Sequence, residues 1–219
     1  MIYLGGTEIS GSDIYIGTER PAAIYVGTEK IWPTDTEPAP SWDFFDDFER
    51  TSIGSAWTGS GGLIAGTAPN RHLKKNTSAG SADYWTVQQF SSDDLTVRAT
   101  LGPVDDLQQV GSIILGSPAH YVYIEFSKSG GQIGDYNGTA WTQRAGVPIQ
   151  EWAAGDVIEV RRRGTTISVL RNGTQIASGS SSIAIGSAYR RVALSVRMGE
   201  NFFVKWYGPT FDDVGIRAE

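Results

Sequence analysis

Apolar and polar residues alternate along much of the chain with a period of two, which is typical of β-strands. The alternating stretches are 95–101, 121–126, 191–198 and 202–207. In each stretch one set of alternate positions is mainly aliphatic or aromatic, while the other set is mixed. Such strands bury one face, as in antiparallel sheets that pack face to face.

Two Asn-Gly pairs predict tight turns between strands. Asn137-Gly138 and Asn172-Gly173 each lie between two short runs with strand character. Asn-Gly is the strongest short-range hairpin signal, because both central residues of the turn need a positive φ. No window of about 12 residues shows a convincing helical period, although 149–156 has room for one helical turn. The pattern therefore predicts an all-β fold, a β-sandwich.

A short sequence occurs three times near the N-terminus. The copies are Ile2–Ile9, Ile14–Glu19 and Ile24–Ile31. Each combines a β-branched or aromatic run with a glycine turn, so each is predicted to form one short strand. Because one short strand cannot bury a face by itself, we expect these strands to stack on one another or on a partner. The candidate attachment residues are the aromatic side chains Tyr3, Tyr15, Tyr25 and Trp32.

A change in composition follows this repeat. Residues 33–41 contain three prolines and two acidic residues, which is the composition of a semi-rigid linker. We therefore predict an attachment segment at 1–32, a Pro-rich linker at 33–41 and one β-sandwich domain at 42–219.

Composition and charge exclude several kinds of partner and site. The 219-residue chain has a net charge of -6, and Arg161-Arg162-Arg163 is its densest basic cluster. This balance argues against a nucleic-acid partner. The chain has no cysteine, which excludes disulfides and thiolate metal sites. No apolar run of about 20 residues predicts a membrane span, and we recognise no signal peptide, so synthesis in a cytoplasm is expected.

Several segments of the long domain resemble one known fold. Asp46–Arg50 followed by Ile53–Trp57 is similar to the opening of concanavalin A-like, laminin-G-like jelly rolls. Residues 154–160 and 167–173 resemble the middle of these domains, and Phe211–Val214 resembles their closing strand. The resemblance covers residues 42–219 and implies a concanavalin A-like jelly-roll β-sandwich. None of its motifs is catalytic.

The N-terminal segment carries a second resemblance. Ile24–Pro33 is similar to the starts of tail and other virion proteins of phages that infect actinobacteria, which often carry such a jelly roll behind it. The resemblance implies a virion protein with other virion proteins as partners, made in the host cytoplasm. It also implies a jelly roll that meets glycans of the host envelope. A homo-oligomer is expected, and a trimer is one form of it.

Within this reading a minor tail protein is the first choice and a capsid decoration protein the second. A free lectin would need no N-terminal repeat.

A glucanase is the enzymatic alternative, and it needs two carboxylates at a fixed separation. A Glu-x-Asp-x-x-Glu run on one strand would supply them, and the chain has none. Glu125, Glu151 and Glu159 stand singly, and His72 and His120 lack the spacing of a metal site or a catalytic triad. We therefore predict that the protein is not an enzyme.

Aromatic residues with polar neighbours are the candidate glycan-binding side chains. Aromatic faces bind the C–H faces of sugars and lose little side-chain entropy. Trp42, Trp57 and Trp206 have apolar neighbours and are expected in the core. The candidates are Trp85, Tyr121, Tyr123, Tyr136, Trp141 and Trp152. Packing under loops or at an oligomer interface is the structural alternative.

Two aspartate pairs lie near the two ends of the predicted domain. The terminal strands of a jelly roll commonly lie side by side, so the four carboxylates can converge into an oxygen-ligand site for Ca²⁺. The four residues are Asp46, Asp47, Asp212 and Asp213. In the alternative, each caps a turn or pairs with Arg50 or Arg217, and the protein has no cofactor.

Overall fold

The computed structural model describes most of the chain, and the residues it describes fall into two compact units, Met1–Ser41 and Trp42–Glu219. The described residues are 2–4, 7–9, 24–26, 29–32, 41–68, 70–75, 79–103, 111–183, 186–201 and 204–219.

Two antiparallel hairpins make up the described part of the first unit. β1 (Ile2–Leu4) pairs with β2 (Thr7–Ile9), and β3 (Ile24–Val26) pairs with β4 (Glu29–Trp32). The prediction of one strand for each repeat copy is therefore wrong for the first and third copies, which each form a strand pair. The reason is that residues after the glycines pair back onto the apolar run: Thr7 and Glu8 in the first copy, and Glu29 and Lys30 in the third. The middle copy, with Tyr15, lies outside the described residues.

The second unit contains two antiparallel sheets of eight strands each, which we name the back sheet and the front sheet. In spatial order the back sheet contains β17 (Thr174–Ser180), β16 (Thr166–Arg171), β15 (Val157–Arg163), β10 (Leu95–Leu101), β20 (Phe211–Ala218), β8 (His72–Lys75) and β7 (Gly62–Ala65), and β5 (Phe44–Asp46) pairs with β20. The front sheet contains β14 (Trp141–Val147), β13 (Gly131–Tyr136), β12 (His120–Phe126), β11 (Gly111–Ser117), β18 (Arg191–Asn201), β9 (Gly80–Thr86) and β6 (Trp57–Thr58), and β19 (Val204–Tyr207) pairs with β18.

One apolar core lies between the two sheets. Val97 from β10 and Val160 from β15 meet Ile124 from β12 and Leu194 from β18 there, and all four are fully buried. Val97, Ile124 and Leu194 are apolar members of the alternating stretches, so the pattern that predicted those strands also identified their buried faces. The prediction of an all-β sandwich is confirmed.

Two local predictions need correction. The predicted helical turn at 149–156 is absent; that stretch is irregular, with a turn at Ala154 and Gly155. The single described helical element is a 3₁₀ turn at Ser187–Tyr189. Among the residues that the structure describes, no helix has the length and apolar character needed to cross a membrane.

The two Asn-Gly turns differ from each other. Asn172 and Gly173 have φ values of 49° and 81°, as the predicted two-residue turn requires. After Tyr136, however, β14 begins only at Trp141, so four residues connect the strands instead of two. The Asn137 side chain explains the longer loop, because its Oδ1 accepts hydrogen bonds from the backbone N–H groups of Thr139 and Ala140, at 3.1 and 2.9 Å.

Candidate functional site

The front sheet has an outer face that points away from the core, and strand register arranges its side chains in rows. Residues directly opposite one another on neighbouring antiparallel strands lie side by side on the same face. The first row is polar: Asp83, Ser195, Ser112, Glu125 and Gln132, from β9, β18, β11, β12 and β13 in turn. Because each row member alternates with core residues along its strand, the whole row faces outward.

Two further rows lie beside the polar row. The second row contains Trp85, Ala193, Ile114, Tyr123 and Gly134. The third row contains Arg191, Gly116, Tyr121, Tyr136 and Trp141. The outer face therefore changes from polar to aromatic over a distance of about four residues along each strand, roughly 13 Å.

Four aromatic rings pack together at one side of this face, and we name them the aromatic wall: Tyr121, Tyr123, Tyr136 and Trp141. The Tyr123 and Trp141 rings meet edge to face with centroids 3.9 Å apart. Trp141 also meets Tyr121 at 5.9 Å and Tyr136 at 5.8 Å. Trp141 remains 51 % exposed, so a large part of its indole is available to a ligand.

Glycine allows the closest of these contacts. A Cβ at Gly134 would lie 2.6 Å from Cε1 of Tyr123, so only a residue without a side chain lets the Tyr123 ring occupy its place. The Asn137 hydrogen bonds fix the loop that leads into Trp141, and Tyr136 OH donates to the Gly138 carbonyl at 3.0 Å. The wall is therefore held in place before any ligand binds.

An open pocket of about 150 Å³ lies between the aromatic wall and the polar row. Its polar lining includes three serine hydroxyls, two carboxylates and one guanidinium, from Ser81, Ser112, Ser195, Asp83, Glu125 and Arg197. Its apolar lining comes from Ile114 and from three members of the wall. The floor residues Ser112 and Ser195 are buried, whereas Asp83 and Arg197 at the rim are exposed, so the surface forms a depression.

Both carboxylates of the pocket are positioned by neutral donors. Ser195 Oγ donates to Asp83 Oδ1 at 2.5 Å, and Gln132 Nε2 donates to Glu125 Oε2 at 2.8 Å. Tyr123 also makes a side-chain hydrogen bond with Glu125. Because each carboxylate oxygen has two lone pairs, both acids can still accept a hydrogen bond from a ligand hydroxyl.

The two tyrosines that line the pocket are protonated donors. Burial raises the pKa of Tyr121 above its usual value, and the negative charge of Asp83 raises it further. Burial likewise raises the pKa of Tyr123, with Glu125 as the next cause. Both phenols therefore keep their protons over the whole physiological pH range.

The separation of the two carboxylates bears on hydrolysis. Three strand spacings separate Asp83 from Glu125 in the polar row. At about 4.8 Å a spacing, the two backbones are roughly 14 Å apart. Retaining glycosidases hold their carboxyl groups at about 5 Å, and inverting ones at about 6.5–9.5 Å. Each carboxylate also has a hydrogen-bond donor on a neighbouring strand.

The predicted glycan-binding residues thus separate into two groups. Tyr121, Tyr123, Tyr136 and Trp141 come together in the wall, and Trp85 meets Tyr121 with centroids 6.1 Å apart on the same face. Trp152, in contrast, does not belong to this surface.

The prediction for Trp152 is wrong because its indole is part of the core. It is 5 % exposed, packs on Phe126 with centroids 5.6 Å apart and donates from Nε1 to the Ser127 carbonyl at 3.1 Å. The guanidinium of Arg171 lies 5.0 Å from the Trp152 ring centroid. Polar sequence neighbours reflect the loop around Trp152 rather than exposure of the indole itself.

The polar residues of the pocket were not among the predicted site residues, and Glu125 stands singly in the sequence. One signal was present, because Ser81, Asp83, Ser112, Ser195 and Arg197 all occupy the mixed positions that alternate with core residues. Their convergence depends on strand register, which the sequence pattern does not supply.

The four aspartates do not form the predicted calcium site. Both carboxylate oxygens of Asp46 bind the Arg50 guanidinium, at 2.5 and 2.6 Å, and Asp46 also accepts from Trp57 Nε1 at 2.6 Å. The Asp47 side chain caps a turn by accepting from the Glu49 N–H at 3.0 Å.

The second aspartate pair also has structural roles. The Asp213 side chain accepts a hydrogen bond from the Thr100 N–H at 3.3 Å. Burial raises the pKa of Asp212, and the negative charge of Asp213 raises it further. The described side chains contain no group of three or more potential metal ligands. Arginine pairing and turn capping, the alternative given by the sequence, describe Asp46 and Asp47.

The predicted attachment residues lie in the first unit. Tyr3, Tyr25 and Trp32 belong to β1, β3 and β4, and Tyr15 is outside the described residues. Their attachment role stays a prediction.

Comparison with known proteins identifies the fold. No protein-family model matches the sequence, and no curated protein matches it significantly. The carbohydrate-binding module CBM66 from Bacillus subtilis superposes with a TM-score of 0.51 at 12 % identity, covering 76 % of this chain and 95 % of the module. The Bacillus licheniformis β-glucanase superposes with a TM-score of 0.56 at 12 % identity, covering 83 % of this chain and 100 % of the glucanase. The exoplasmic/lumenal domain of VIP36, in its Ca²⁺/Man3GlcNAc-bound form, superposes with a TM-score of 0.59 at 9 % identity, covering 80 % of this chain and 91 % of the VIP36 domain.

At these identities the likeness establishes the fold alone. The chain contains a concanavalin A-like jelly-roll β-sandwich, as the sequence predicted. These three structures are not virion proteins, and they add nothing to the resemblance of the N-terminal segment to phage proteins.

Proposed function

We propose that the jelly roll binds carbohydrate in the pocket of the front sheet, with the aromatic wall as the stacking surface. The observation that carries this proposal is the meeting of four aromatic rings with a row of hydroxyl and carboxylate groups on one solvent-facing sheet. Sugars present C–H faces and hydroxyl edges, and a site of this composition satisfies both.

The comparisons support this proposal at the level of the fold. A carbohydrate-binding module and a glycan-bound lumenal domain share the sandwich with this chain. Fold likeness alone does not define a function, so the argument depends on the residues of the pocket.

The direct test is to measure binding of the full chain to an array of neutral and acidic glycans. Saturable binding that free glycan displaces is the expected result. A folded protein that binds no glycan on the array, and none in bacterial envelope extracts, contradicts the proposal.

We propose in addition that the protein binds glycans without hydrolysing them. The roughly 14 Å backbone separation of Asp83 and Glu125 supports this. Side chains on one face of a sheet stand roughly perpendicular to it, so the two carboxyl groups are held farther apart than the about 5–9.5 Å that glycosidases use. The assay is the release of reducing sugar from glucans, galactans and mannans by purified protein. Release that persists in Glu125→Gln and Asp83→Asn variants indicates a contaminating enzyme, whereas release that these substitutions abolish makes the protein a glycosidase.

The N-terminal repeat supports a further assignment, to a phage virion. In this proposal residues 1–32 anchor the protein among other virion proteins as a homo-oligomer, most simply in the tail, with the capsid surface as the alternative. Its support is the resemblance of Ile24–Pro33 to virion proteins, together with the marginal stability of isolated two-stranded hairpins.

Deletion of residues 1–32 tests the anchor. The truncated protein is expected to remain folded and to be missing from purified particles, while the full chain is found there by antibody labelling. Incorporation of the truncated protein at the normal level refutes the anchoring role.

A further inference from the structure

The charges around the pocket are unequal in sign. Asp83 and Glu125 contribute two negative charges to the lining, and Arg197 contributes one positive charge. Asp83 lies on β9 and Glu125 on β12, so the two carboxylates stand on opposite sides of the serine floor.

Among the described side chains, the recorded contacts give neither carboxylate a charged partner. Their hydrogen-bond donors are the Ser195 hydroxyl and the Gln132 amide, which carry no charge. The ion pairs recorded among the described side chains include neither Asp83 nor Glu125. The recorded donors to both acids are therefore uncharged.

The pocket tyrosines respond to this charge. After burial, the next cause that raises the pKa of Tyr121 is Asp83, and the corresponding cause for Tyr123 is Glu125. A field that opposes the ionisation of two phenols at the pocket wall also opposes an anionic group on a ligand in the same space.

We propose that this pocket accepts neutral sugars and rejects acidic ones, an inference that rests on the carbohydrate binding proposed above. A neutral ring can donate hydroxyl hydrogens to remaining lone pairs of Asp83 and Glu125, while the wall covers its C–H face. A carboxylate or sulfate on the same ring would meet two like charges against a single guanidinium.

The test compares hexoses with their C6-carboxylate counterparts, which differ at one carbon. Glucose, galactose and mannose conjugates and the three matching uronic acid conjugates are immobilised, and the full chain is titrated over them at low ionic strength. We expect the best-bound hexose to exceed its uronate partner at least tenfold. Since salt screens exposed charges, the ratio is expected to shrink in about 1 M salt, where the Debye length is about 3 Å.

Charge-neutral variants identify the cause of the preference. Asp83→Asn combined with Glu125→Gln is expected to reduce the hexose-to-uronate ratio towards one, with the melting temperature as a check on folding. Arg197→Gln is the matched control, because loss of the positive charge that the described lining contains is expected to increase the ratio.

The outcomes separate the two proposals. Equal or stronger binding of uronates by the wild type overturns the neutral preference and leaves glycan binding intact. A preference that survives removal of both carboxylates overturns the electrostatic cause. Binding of neither series at any concentration overturns both proposals.

Discussion

Replacement of Trp141 by alanine is the sharpest test of the aromatic wall. The indole is 51 % exposed and lies in the open side of the pocket. A tryptophan side chain has about 200 Å² of surface to bury, so a ligand can cover roughly 100 Å² of this one. At about 25 cal/mol per Å² this cover is worth about 2.5 kcal/mol, which corresponds to a loss of roughly 70-fold in affinity. If the sugar covers only one face of the indole, the energy is halved and the expected loss of affinity is roughly tenfold.

The Trp141→Ala protein is expected to remain folded. The lost contacts are edge-to-face or tilted ring pairs with three tyrosines, each worth about 1 kcal/mol or less at a half-exposed site. A domain of this size has several kcal/mol of stability in reserve, on the order of 5–15 kcal/mol. Binding should therefore fall much more than stability.

The assay is isothermal titration with the glycan that binds the wild type most strongly, together with thermal unfolding of each variant. Ile149→Ala is the matched control, since Ile149 is 72 % exposed and lines neither the pocket nor the wall. An unchanged affinity in folded Trp141→Ala protein, or an equal loss in Ile149→Ala, refutes the assignment of the wall as the sugar-binding surface.

Three further predictions concern the support of the site and the stability of the sandwich. Gly134→Ala is expected to displace the Tyr123 ring, because the new Cβ would lie 2.6 Å from it. The displacement should weaken glycan binding at least as much as Trp141→Ala. Gly146→Ala is the control, since a Cβ there has no neighbour within 4 Å, and this variant should bind normally in the same titration. Asp46→Ala leaves a partly buried guanidinium without its partner and should cost about 3 kcal/mol in urea unfolding. Side-chain hydrogen bonds from Arg217 and Thr96 lower the pKa of Glu219 from 4.5 to about 2. The contribution of Glu219 to stability is therefore present above pH 4.5 and is lost as the pH falls towards 2. Urea unfolding between pH 5 and pH 2 should show a smaller loss of stability in Glu219→Gln than in the wild type.

Each of these three has a contradicting result. Equal binding by the Gly134→Ala and Gly146→Ala proteins shows that the position of Tyr123 is unimportant. An Asp46→Ala protein as stable as the wild type removes the structural role of the Arg50 pair. Identical acid profiles for wild type and Glu219→Gln assign the acid sensitivity to other carboxylates.

The sequence was sufficient for the fold because the relevant signal is local. Alternation at 95–101 and 191–198 reports which face of each strand is buried, whatever strand it pairs with. The same alternation placed Tyr121 and Tyr123 on the outer face of β12, so both candidates were correctly placed on the exposed side of the sheet. Strand pairing then brought Tyr136 and Trp141 beside them.

In loops and at long-range contacts, the environment of a side chain depends on tertiary structure that local periodicity does not report. The neighbours of Trp152 in sequence are polar, yet the indole inserts into the core beside Phe126, and no periodicity in a loop reports this. The sequence was misleading for Asp46 as well. Acidic residues are usually exposed, yet the Asp46 carboxylate is buried against Arg50 and Trp57 in the fold. Isolated residue types therefore predicted chemistry poorly where tertiary contacts decide the environment.

The pocket itself arises from side-chain size across the register rather than from any motif. The central strands β11 and β18 place small residues outward, Ser112 and Ser195 in the polar row and Ala193 in the next row. The flanking strands β9 and β12 place larger side chains there, so the sheet surface is low in the middle and high on both sides. These positions are up to 112 residues apart in sequence, as the Ser195–Asp83 hydrogen bond shows. A binding depression of this kind can be specified without any local sequence signature, which explains why a jelly roll with no recognisable catalytic or metal motif can still carry a defined site.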